Sequence, residues 1–318
     1  MKEIELRIMG GLGNQLYQYA TARFIQKKYG AEKITIDVGE YDTYKIRNLE
    51  INNIIHNKNV ELKKVKSIKN YIYRNVYHVY QKIYRIFFKQ RPEQKIFGNK
   101  KNKYLCSYVE CNLSDNVDCH TLCMYGYFVS AKTALLVKQE LMDELYLLDN
   151  DLNQCYKELL LSVKKNPCIA VSIRCGEDYL KNSWPICTKE FYQKGIEYIK
   201  NNKNNDILIF VFADDLNKVR KEEWFAGYDN VTYVDGLNVC ENFELMRNCS
   251  DYVCSNSSFS WWGAFLSYSN DSIIVNPNKV FSGDSEEIDK LTFYDRLTLL
   301  DYKTGEVCHE NCSGSDTL

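Results

Sequence analysis

The sequence predicts an α/β fold with parallel sheets, and three observations support that prediction. The chain opens with a strand, a glycine-rich loop, a helix and a second strand, an order that places both strands parallel in one sheet. From residue 168 onward, apolar strands alternate regularly with amphipathic helices. The length of 318 residues is enough for two domains of ordinary size. We therefore expect two α/β domains.

The elements of the first half follow from apolar periodicity. Residues 14–29 form a predicted helix with one apolar face, and Gly30 ends it because glycine adopts a left-handed conformation at low cost. The predicted strands are 4–9, 33–38, 105–109 and 122–128, and the later helices are 138–148 and 152–163. The polar break at residues 149–151 places a domain boundary near residue 150.

The second half predicts a doubly wound domain. Residues 206–213 (DILIFVFA) are almost continuously apolar, as a strand buried on both faces requires. The predicted strands are 168–174, 206–213, 231–235, 251–254 and 272–276, and the predicted helices are 188–201, 216–224, 239–248 and 258–267. We expect Rossmann-like domains at residues 1–150 and 151–304, followed by a flexible polar tail at 305–318.

Charge and hydropathy exclude some classes of protein. The net charge of −1 gives no global field that would attract nucleic acid or a membrane. No apolar run reaches the roughly 18 residues that a membrane span needs. The first residues run directly into the glycine loop without the pattern of a secretory leader, so we expect a cytoplasmic protein.

The thirteen cysteines are odd in number and scattered, which argues against a complete disulfide framework. We expect reduced and mostly buried thiols and no metal site. Two groups have a weak zinc-like spacing and leave that alternative open: Cys106, Cys111, Cys119, His120 and Cys123 in the first half, and Cys308, His309 and Cys312 near the end.

Residues 63–95 are both basic and aromatic. They contain ten Lys or Arg residues and one acidic residue, Glu93. The aromatic residues spaced by three or four positions share one helical face: Tyr73, Tyr77, Tyr80, Tyr84 and Phe87. Two interpretations are open. The helix could make peripheral contact with the anionic inner face of a membrane, or its aromatic side chains could pack on the domain with the lysines in water.

The run SNSSFSWWGAF, residues 255–265, joins a short strand to a helix. Ser and Asn favour the start of a helix because their side chains accept hydrogen bonds from its free N–H groups. The same N–H groups and the helix dipole also bind phosphate. The alternatives are a diphosphate site and an ordinary serine cap above a buried pair of tryptophans.

Arg174 ends an apolar strand, at the edge where α/β sheets bind ligands. The planar guanidinium donates two parallel hydrogen bonds and stays charged, which suits phosphate. The alternative is a structural ion pair at the end of the strand. Asp214 and Asp215 follow the next predicted strand, where either could cap helix 216–224.

Four segments in this order resemble glycosyltransferase family 11: MGGLGNQLYQYATARFIQKKYG, VSIRCGEDY, FVFADD and SNSSFSWWGAF, with MYGYFV at residues 124–129 as a further match. The resemblance implies a GT-B architecture, with two Rossmann-like domains facing a cleft. It also implies inverting transfer of L-fucose from GDP-fucose to the 2-hydroxyl of a galactoside in a surface glycan, without a metal or other cofactor.

The resemblance also implies roles for individual residues. The family pattern His-x-Arg-Arg-x-Asp corresponds here to Ser172, Arg174 and Cys175, with Asp178 after one extra residue, so its His and second Arg are replaced. Arg174 and Asp178 are the expected catalytic residues. The expected donor-binding residues are Gly11, Gly13, Asn14, Ser172, Arg174, Asp214, Asp215, Asn256, Ser257, Ser258 and Phe259. Either aspartate after the FVFA strand could recognise guanine.

The catalytic base and the class of protein remain open at this point. Glu177, Asp178, Asp37 and Asp42 are all candidates for the base that an inverting transfer calls for. One rival function is a dinucleotide-dependent oxidoreductase, since Gly11 and Gly13 precede Asp37 in a spacing close to the dinucleotide fingerprint, although Leu16 replaces the third glycine. Another is a nonenzymatic protein that binds nucleotide or glycan without turnover.

Overall fold

The structure is a computed structural model that describes residues 1–88, 94–109, 117–148, 152–177, 184–203, 206–281 and 289–309. The chain forms two compact units, Met1–Tyr146 and Leu147–Leu318. Each unit contains a sheet whose described strands are mostly parallel and which carries helices. The predicted α/β class with two Rossmann-like units is therefore confirmed.

The sheet of the first unit reverses its strand order at the centre. Its strands are β1 (Glu3–Arg7), β2 (Lys33–Asp37), β3 (Val60–Lys63), β4 (Lys95–Gly98), β5 (Asn102–Val109) and β6 (Thr121–Val129). They lie in the order β3-β2-β1-β6-β5-β4, and the described pairs are parallel except β4 with β5. The carboxyl ends of β1 and β6 therefore meet where α/β sheets form ligand-binding crevices.

The helices of the first unit are α1 (Leu12–Tyr29), α2 (Ile68–Phe88), α3 (Ala131–Leu135) and α4 (Lys138–Glu144). Helix α1 begins two residues before the predicted start, because Gly11 is its extended N-cap (φ −81°, ψ 175°). Gly10 makes the preceding turn with φ 79°, in the left-handed region that favours glycine. At the other end, Gly30 caps the helix with φ 64°, as predicted.

Helix α2 is held on the sheet by aromatic packing and by polar contacts. The ring centroid of Tyr73 lies 3.9 Å from that of Tyr104 and 4.9 Å from that of Phe97. Tyr77 is buried, and Tyr80 packs beside it. The predicted packing of the aromatic stripe is thus present for Tyr73, Tyr77 and Tyr80.

An ion-pair network joins the underside of α2 to the strands. Arg7 lies 2.7 Å from the buried Asp37 carboxylate, and Arg74 of α2 lies 3.4 Å from the same carboxylate. The Asn70 amide of α2 donates to Glu5 of β1. Burial, followed by repulsion from Asp37, raises the pKa of Glu5 from 4.5 to about 7.

Gly126 in β6 belongs to the MYGYFV segment and is required by close packing. Its φ is 150°, and a Cβ placed there would lie 1.6 Å from the carbonyl oxygen of Ser107 on β5. The pairing of β5 with β6 shifts register beside this point, between Ser107 and Val109. Any larger residue at position 126 would force the two strands apart.

The second unit has the strand order of a doubly wound fold. Its strands are β7 (Cys168–Ile173), β8 (Leu208–Ala213), β9 (Val231–Tyr233), β10 (Asp251–Val253), β11 (Ile274–Pro277), β12 (Leu297–Leu300) and β13 (Val307–His309). They lie in the order β13-β12-β11-β10-β7-β8-β9, with β13 antiparallel to β12 and the other described pairs parallel. The order reverses between β7 and β10, which is the switch point of such sheets.

Helices cover both faces of this sheet. They are α5 (Gln154–Lys165), α6 (Lys189–Lys203), α7 (Leu216–Lys221), α8 (Val239–Arg247) and α9 (Ser258–Phe265). Alternate residues of β7 enter two separate cores, with Val171 beside Phe191 of α6 and Ala170 beside Leu245 of α8. All six residues of β7 are buried, so the strand is fixed from both sides.

Several elements lie outside the sequence predictions. Strands β3, β4 and β12 and the short helix α3 were not predicted. Three residues of the segment predicted as a tail form β13, so regular structure continues to His309. Among the described residues, none of the helices combines the length and apolarity that would let it cross a bilayer. The described cysteines are free thiols, and they are buried except Cys155 and Cys308.

The raised pKa of Glu5 predicts a pH-dependent stability. The folded protein holds this proton more tightly than the unfolded chain, so the free energy of unfolding falls as pH rises from about 4.5 to about 7. Glu5→Gln removes the ionisation. We expect its melting temperature, relative to the parent, to increase across that window and to level off above it. Exposed Glu32→Gln is the control, and equal behaviour of the two variants would contradict the burial of an ionisable Glu5.

Candidate active site

Three predicted segments lie at one edge of the second sheet. Arg174 directly follows β7, Asp214 directly follows β8, and Ser255 lies two residues after β10. Ile173 pairs with Ala213 on one side of β7, and Val171 pairs with Val253 on the other. Because these strands are parallel neighbours, their carboxyl ends bring the three segments together at the switch point.

An ion pair organises the end of β7. The Arg174 guanidinium Nη1 lies 2.7 Å from Oδ2 of Asp214. The backbone N–H groups of Cys175 and Gly176 donate to Oδ1 and Oδ2 of the same carboxylate at 2.9 and 3.0 Å. Asp214 therefore fixes both the direction of the guanidinium and the turn that follows it. The predicted ion-pair alternative is present, and it is compatible with phosphate binding because a guanidinium carries five N–H donors.

Asp214 and Asp215 have different structural roles. The Asp215 side chain caps helix α7 by accepting the N–H of Lys218 at 3.0 Å. Asp214 takes no part in that cap and serves the loop after β7 instead. The sequence left the choice of capping residue open, and the structure assigns it to Asp215.

The site carries no second cation at the position after Arg174. Cys175 stands there, and burial, together with the nearby Asp214 carboxylate, raises the pKa of its thiol to about 12. The group is therefore a neutral thiol at physiological pH. Ser172 is a buried residue of β7, so a serine side chain occupies the place of the family histidine.

The serine-rich turn combines a helix cap with a buried anchor. Ser257 is the N-cap of α9 and accepts the N–H of Phe259 at 3.3 Å. Further along α9, Trp261 is buried and donates its indole N–H to the carbonyl oxygen of Thr292 at 2.7 Å. The cap and the buried tryptophan pair expected as one alternative are both present. They leave the start of α9 directed toward the same edge as Arg174, where a helix N-terminus favours an anion.

Two further predicted donor-binding residues, Asn256 and Phe259, contact neighbouring segments of the second unit. Asn256 is buried and donates to the carbonyl oxygen of Val280 at 3.3 Å. The ring of Phe259 packs edge-on against Phe243, with centroids 5.8 Å apart. Both contacts hold the turn that carries Ser257.

The glycine loop of the first unit is organised by Gln15, which sequence analysis did not single out. Its amide donates to the carbonyl oxygens of Gly10 and Asn48 at 2.9 and 2.8 Å and contacts the Tyr41 hydroxyl at 2.8 Å. Its carbonyl oxygen accepts the N–H groups of Glu50 and Ile51 at 3.0 and 2.9 Å. The side chain is fully buried. A glutamine directly after Gly-Asn is the signal in the sequence that could have indicated this role.

A second buried glutamine fixes the end of β1. The Gln18 side chain accepts the N–H of Met9 and donates to its carbonyl oxygen, both at 2.9 Å. Gly11 and Gly13 then lie at the N-cap and first turn of α1, and the Asn14 side chain lies against Gly10, where a Cβ would be only 2.7 Å from its amide nitrogen. The loop geometry thus depends on Gln15, Gln18 and glycine at position 10.

The dinucleotide interpretation does not fit this loop. Leu16, at the place of the third glycine, is fully buried. The Asp37 carboxylate, which would hold a ribose, is 1% exposed and bound by Arg7, Arg74 and the N–H groups of Gly39 and Val65. Asp37 is therefore committed to the fold, which also removes it as a candidate catalytic base.

The remaining candidates lie in different surroundings. Asp42 is exposed and paired with Lys64 at 2.6 Å, and Glu177 is exposed. Asp178, Cys111 and Cys312 lie outside the described residues. Within the residues that the structure does describe, no group of three or more His, Cys, Asp or Glu side chains is arranged to hold a metal ion.

Comparisons with known proteins place the chain in a family. The model of glycosyl transferase family 11 matches residues 3–292. The O-antigen biosynthesis glycosyltransferase WbnK of Escherichia coli is 29% identical over 316 residues, which cover 90% of this chain and 96% of that protein. An alpha-1,2-colitosyltransferase of the same organism is 27% identical over 291 residues, covering 88% and 93%.

A comparison with solved structures bears on the fold. A point mutant of Arabidopsis thaliana FUT1, solved in complex with GDP, superposes with a TM-score of 0.51 at 10% identity, covering 89% of this chain and 72% of that one. With two α/β units of parallel-dominated sheets, the expected GT-B fold class is confirmed. Since the family model spans almost all of the chain, the protein belongs to glycosyltransferase family 11, as its motifs indicated.

Proposed function

We propose that this glycosyltransferase moves L-fucose from GDP-fucose to the 2-hydroxyl of a galactoside in a surface glycan, with inversion at the anomeric carbon. The observation that carries the proposal is Arg174, held by Asp214 at the switch point of the second sheet, beside the capped start of α9. A fixed cation and a helix N-terminus at one edge suit a diphosphate. The family assignment supports a sugar donor.

The chemistry depends on the charge of the leaving group. When the bond between the fucose carbon and the phosphate oxygen breaks, the β-phosphate gains negative charge. Arg174 stabilises that charge, and the ion pair with Asp214 means that the guanidinium is oriented before the reaction begins. In this proposal Arg174 takes the part that a divalent cation plays in other glycosyltransferases, so transfer proceeds in the presence of EDTA.

Asp215 is the better candidate for guanine recognition. Both oxygens of Asp214 already accept hydrogen bonds from the loop after β7, in addition to the ion pair. The Asp215 carboxylate accepts the Lys218 N–H through Oδ1. Its second oxygen therefore retains capacity for the N1–H and amino group of guanine, which would select GDP over other nucleotides.

The location of the acceptor and the identity of the base are proposed from membership of the family. We assign the acceptor to the first unit, whose glycine loop is fixed by Gln15, and the base to Asp178, which follows Arg174 by four residues. The base removes the proton from the acceptor hydroxyl as the new bond forms. We place the reaction in the cytoplasm.

A second donor is favoured by one relative. The similarity to an alpha-1,2-colitosyltransferase suggests GDP-colitose as the competing donor. Colitose is 3-deoxy-L-fucose, so the two donors share the guanine and diphosphate contacts and differ at one sugar hydroxyl. The nonenzymatic alternative is a protein that binds nucleotide or glycan without turnover. Measuring turnover distinguishes it from a transferase.

Arg174→Ala should strongly reduce transfer and leave the fold intact. Asp214 keeps its two backbone donors in this variant, so the loop retains its shape. We expect turnover to fall by about 10²–10³-fold, as for loss of one donor to a developing oxyanion. Arg174→Lys keeps the charge without the planar fork and should be intermediate. The measurement is single-turnover release of GDP from GDP-fucose.

Arg296→Ala is the matched control for Arg174→Ala. Arg296 precedes β12, at the opposite edge of the sheet, and donates to the carbonyl oxygen of Asn270 at 2.8 Å. Its loss should leave turnover close to that of the parent. Parent-like turnover in Arg174→Ala would overturn the assignment of this edge as the active site.

The Asp215→Asn variant separates the helix-capping role of this residue from its proposed recognition of guanine. Asparagine is as good an N-cap as aspartate, so α7 should be unaffected. The loss of a carboxylate oxygen facing guanine should weaken GDP binding by about tenfold or more and leave the weaker binding of ADP unchanged. Calorimetric titration with both nucleotides measures this. An unchanged ratio of GDP to ADP affinity would show that Asp215 acts only as a cap.

A further inference from the structure

Helix α2 carries a second apolar stripe that faces away from the domain. Its six members are 50–81% exposed and follow one another at intervals of four, four, three, four and four residues: Ile68, Ile72, Val76, Val79, Ile83 and Phe87. That spacing keeps them on one side of the helix over its whole length. Phe87, which the sequence placed with the packed aromatic stripe, is 75% exposed and belongs here. A contiguous exposed apolar stripe of this length marks an interaction surface.

The other side of the helix is fixed to the first unit. Tyr73 and Tyr77 pack on the sheet side, and Asn70 and Arg74 bond to Glu5 and Asp37. The helix is thus attached by one stripe and exposed along the next. Because the helix is already fixed to the domain, binding through its outward stripe does not require the helix to fold first.

The charged side chains of the helix itself, and of the residues just before it, are all basic. From residue 62 to residue 92 the sequence contains no Asp or Glu. Exposed lysines lie on the helix and just before it, at Lys66, Lys69 and Lys82. Lys64 and Arg74 are paired with acids of other segments. The stripe is therefore bordered by cations, a pattern typical of helices that lie in the plane of an anionic lipid surface.

We propose that the outward stripe of α2 docks this enzyme on an anionic bilayer surface, with the helix parallel to the membrane. The apolar side chains enter the boundary between headgroups and acyl chains, and the lysines contact lipid phosphates. The inference does not depend on which nucleotide sugar is the donor. It would confine the enzyme to a surface on which a lipid-linked acceptor is held.

A second copy of the chain is a less suitable occupant. In a two-fold symmetric contact the same patch faces itself, so the lysines beside one stripe would approach those beside the other. No acidic residue between positions 62 and 92 offsets that repulsion. An anionic lipid surface offers an apolar layer for the stripe and negative charge for the lysines beside it.

The test is co-sedimentation of the full chain with lipid vesicles. One set contains phosphatidylcholine alone, and the other contains about 30% phosphatidylglycerol, each at about 0.1 M and about 0.5 M NaCl. We expect binding to the anionic vesicles to be at least about tenfold stronger than to neutral vesicles and to weaken at high salt. Equal binding to both vesicle types, or no binding, would overturn the proposal.

Matched variants identify the surface responsible. Val79→Glu places a charge in the stripe, and Leu161→Glu places the same charge on α5 of the second unit at a position of similar exposure, 57% against 56%. We expect Val79→Glu to lose at least about tenfold in vesicle affinity, and Leu161→Glu to bind like the parent. Circular dichroism and turnover of a soluble acceptor check that each variant is folded.

A lysine variant and Val79→Glu together distinguish a lipid surface from a second copy of the chain as the occupant of the stripe. Lys66, Lys69 and Lys82 changed together to Gln should reduce binding to anionic vesicles and leave turnover of a soluble acceptor unchanged. If Val79→Glu instead converts a dimer to a monomer in analytical ultracentrifugation and leaves vesicle binding unaffected, the stripe is a contact between copies and the proposal is wrong.

Discussion

The candidate active site depends on the ion pair and hydrogen bonds that the Asp214 carboxylate makes. It receives the Arg174 guanidinium and two backbone N–H groups from the turn after β7. β7 and β8 are fixed by burial on both faces, so the ion pair joins the ends of two rigid neighbouring strands. A charge held in this way needs little reorganisation when a phosphate arrives, and such preorganisation is where electrostatic catalysis gains most.

The first unit uses neutral hydrogen bonds for a comparable purpose. Gln15 joins the glycine loop to Tyr41 and to residues 48–51, and Gln18 holds Met9. These amides are buried and bonded at both ends, so replacing either with an apolar residue would leave several backbone groups without partners. The conformation of the glycine loop therefore depends on α1, which starts within it.

The sequence predicted the parts of this structure that local pattern determines. Apolar runs such as residues 206–213 indicated buried parallel strands, and the order of elements placed Arg174, Asp214 and Ser257 at one edge. Apart from Gly10, the partners of Gln15 lie 26–36 positions away along the chain, so periodicity could not show them. The sequence alone does not show whether Asp214 or Asp215 caps α7, because both precede the helix and the choice depends on where the helix starts. Similarly, only tertiary contacts decide which of two apolar stripes on α2 is covered, and the outer one was missed.

The most direct test of the central claim is release of GDP from GDP-fucose by the full chain, with EDTA present, with and without lactose as the galactoside. The account predicts release that depends on lactose and is unaffected by EDTA, because Arg174 and the start of α9 carry the charge of the diphosphate. GDP-colitose in parallel distinguishes the two donors. Absence of GDP-fucose binding, or release that requires an added divalent metal, would contradict the account.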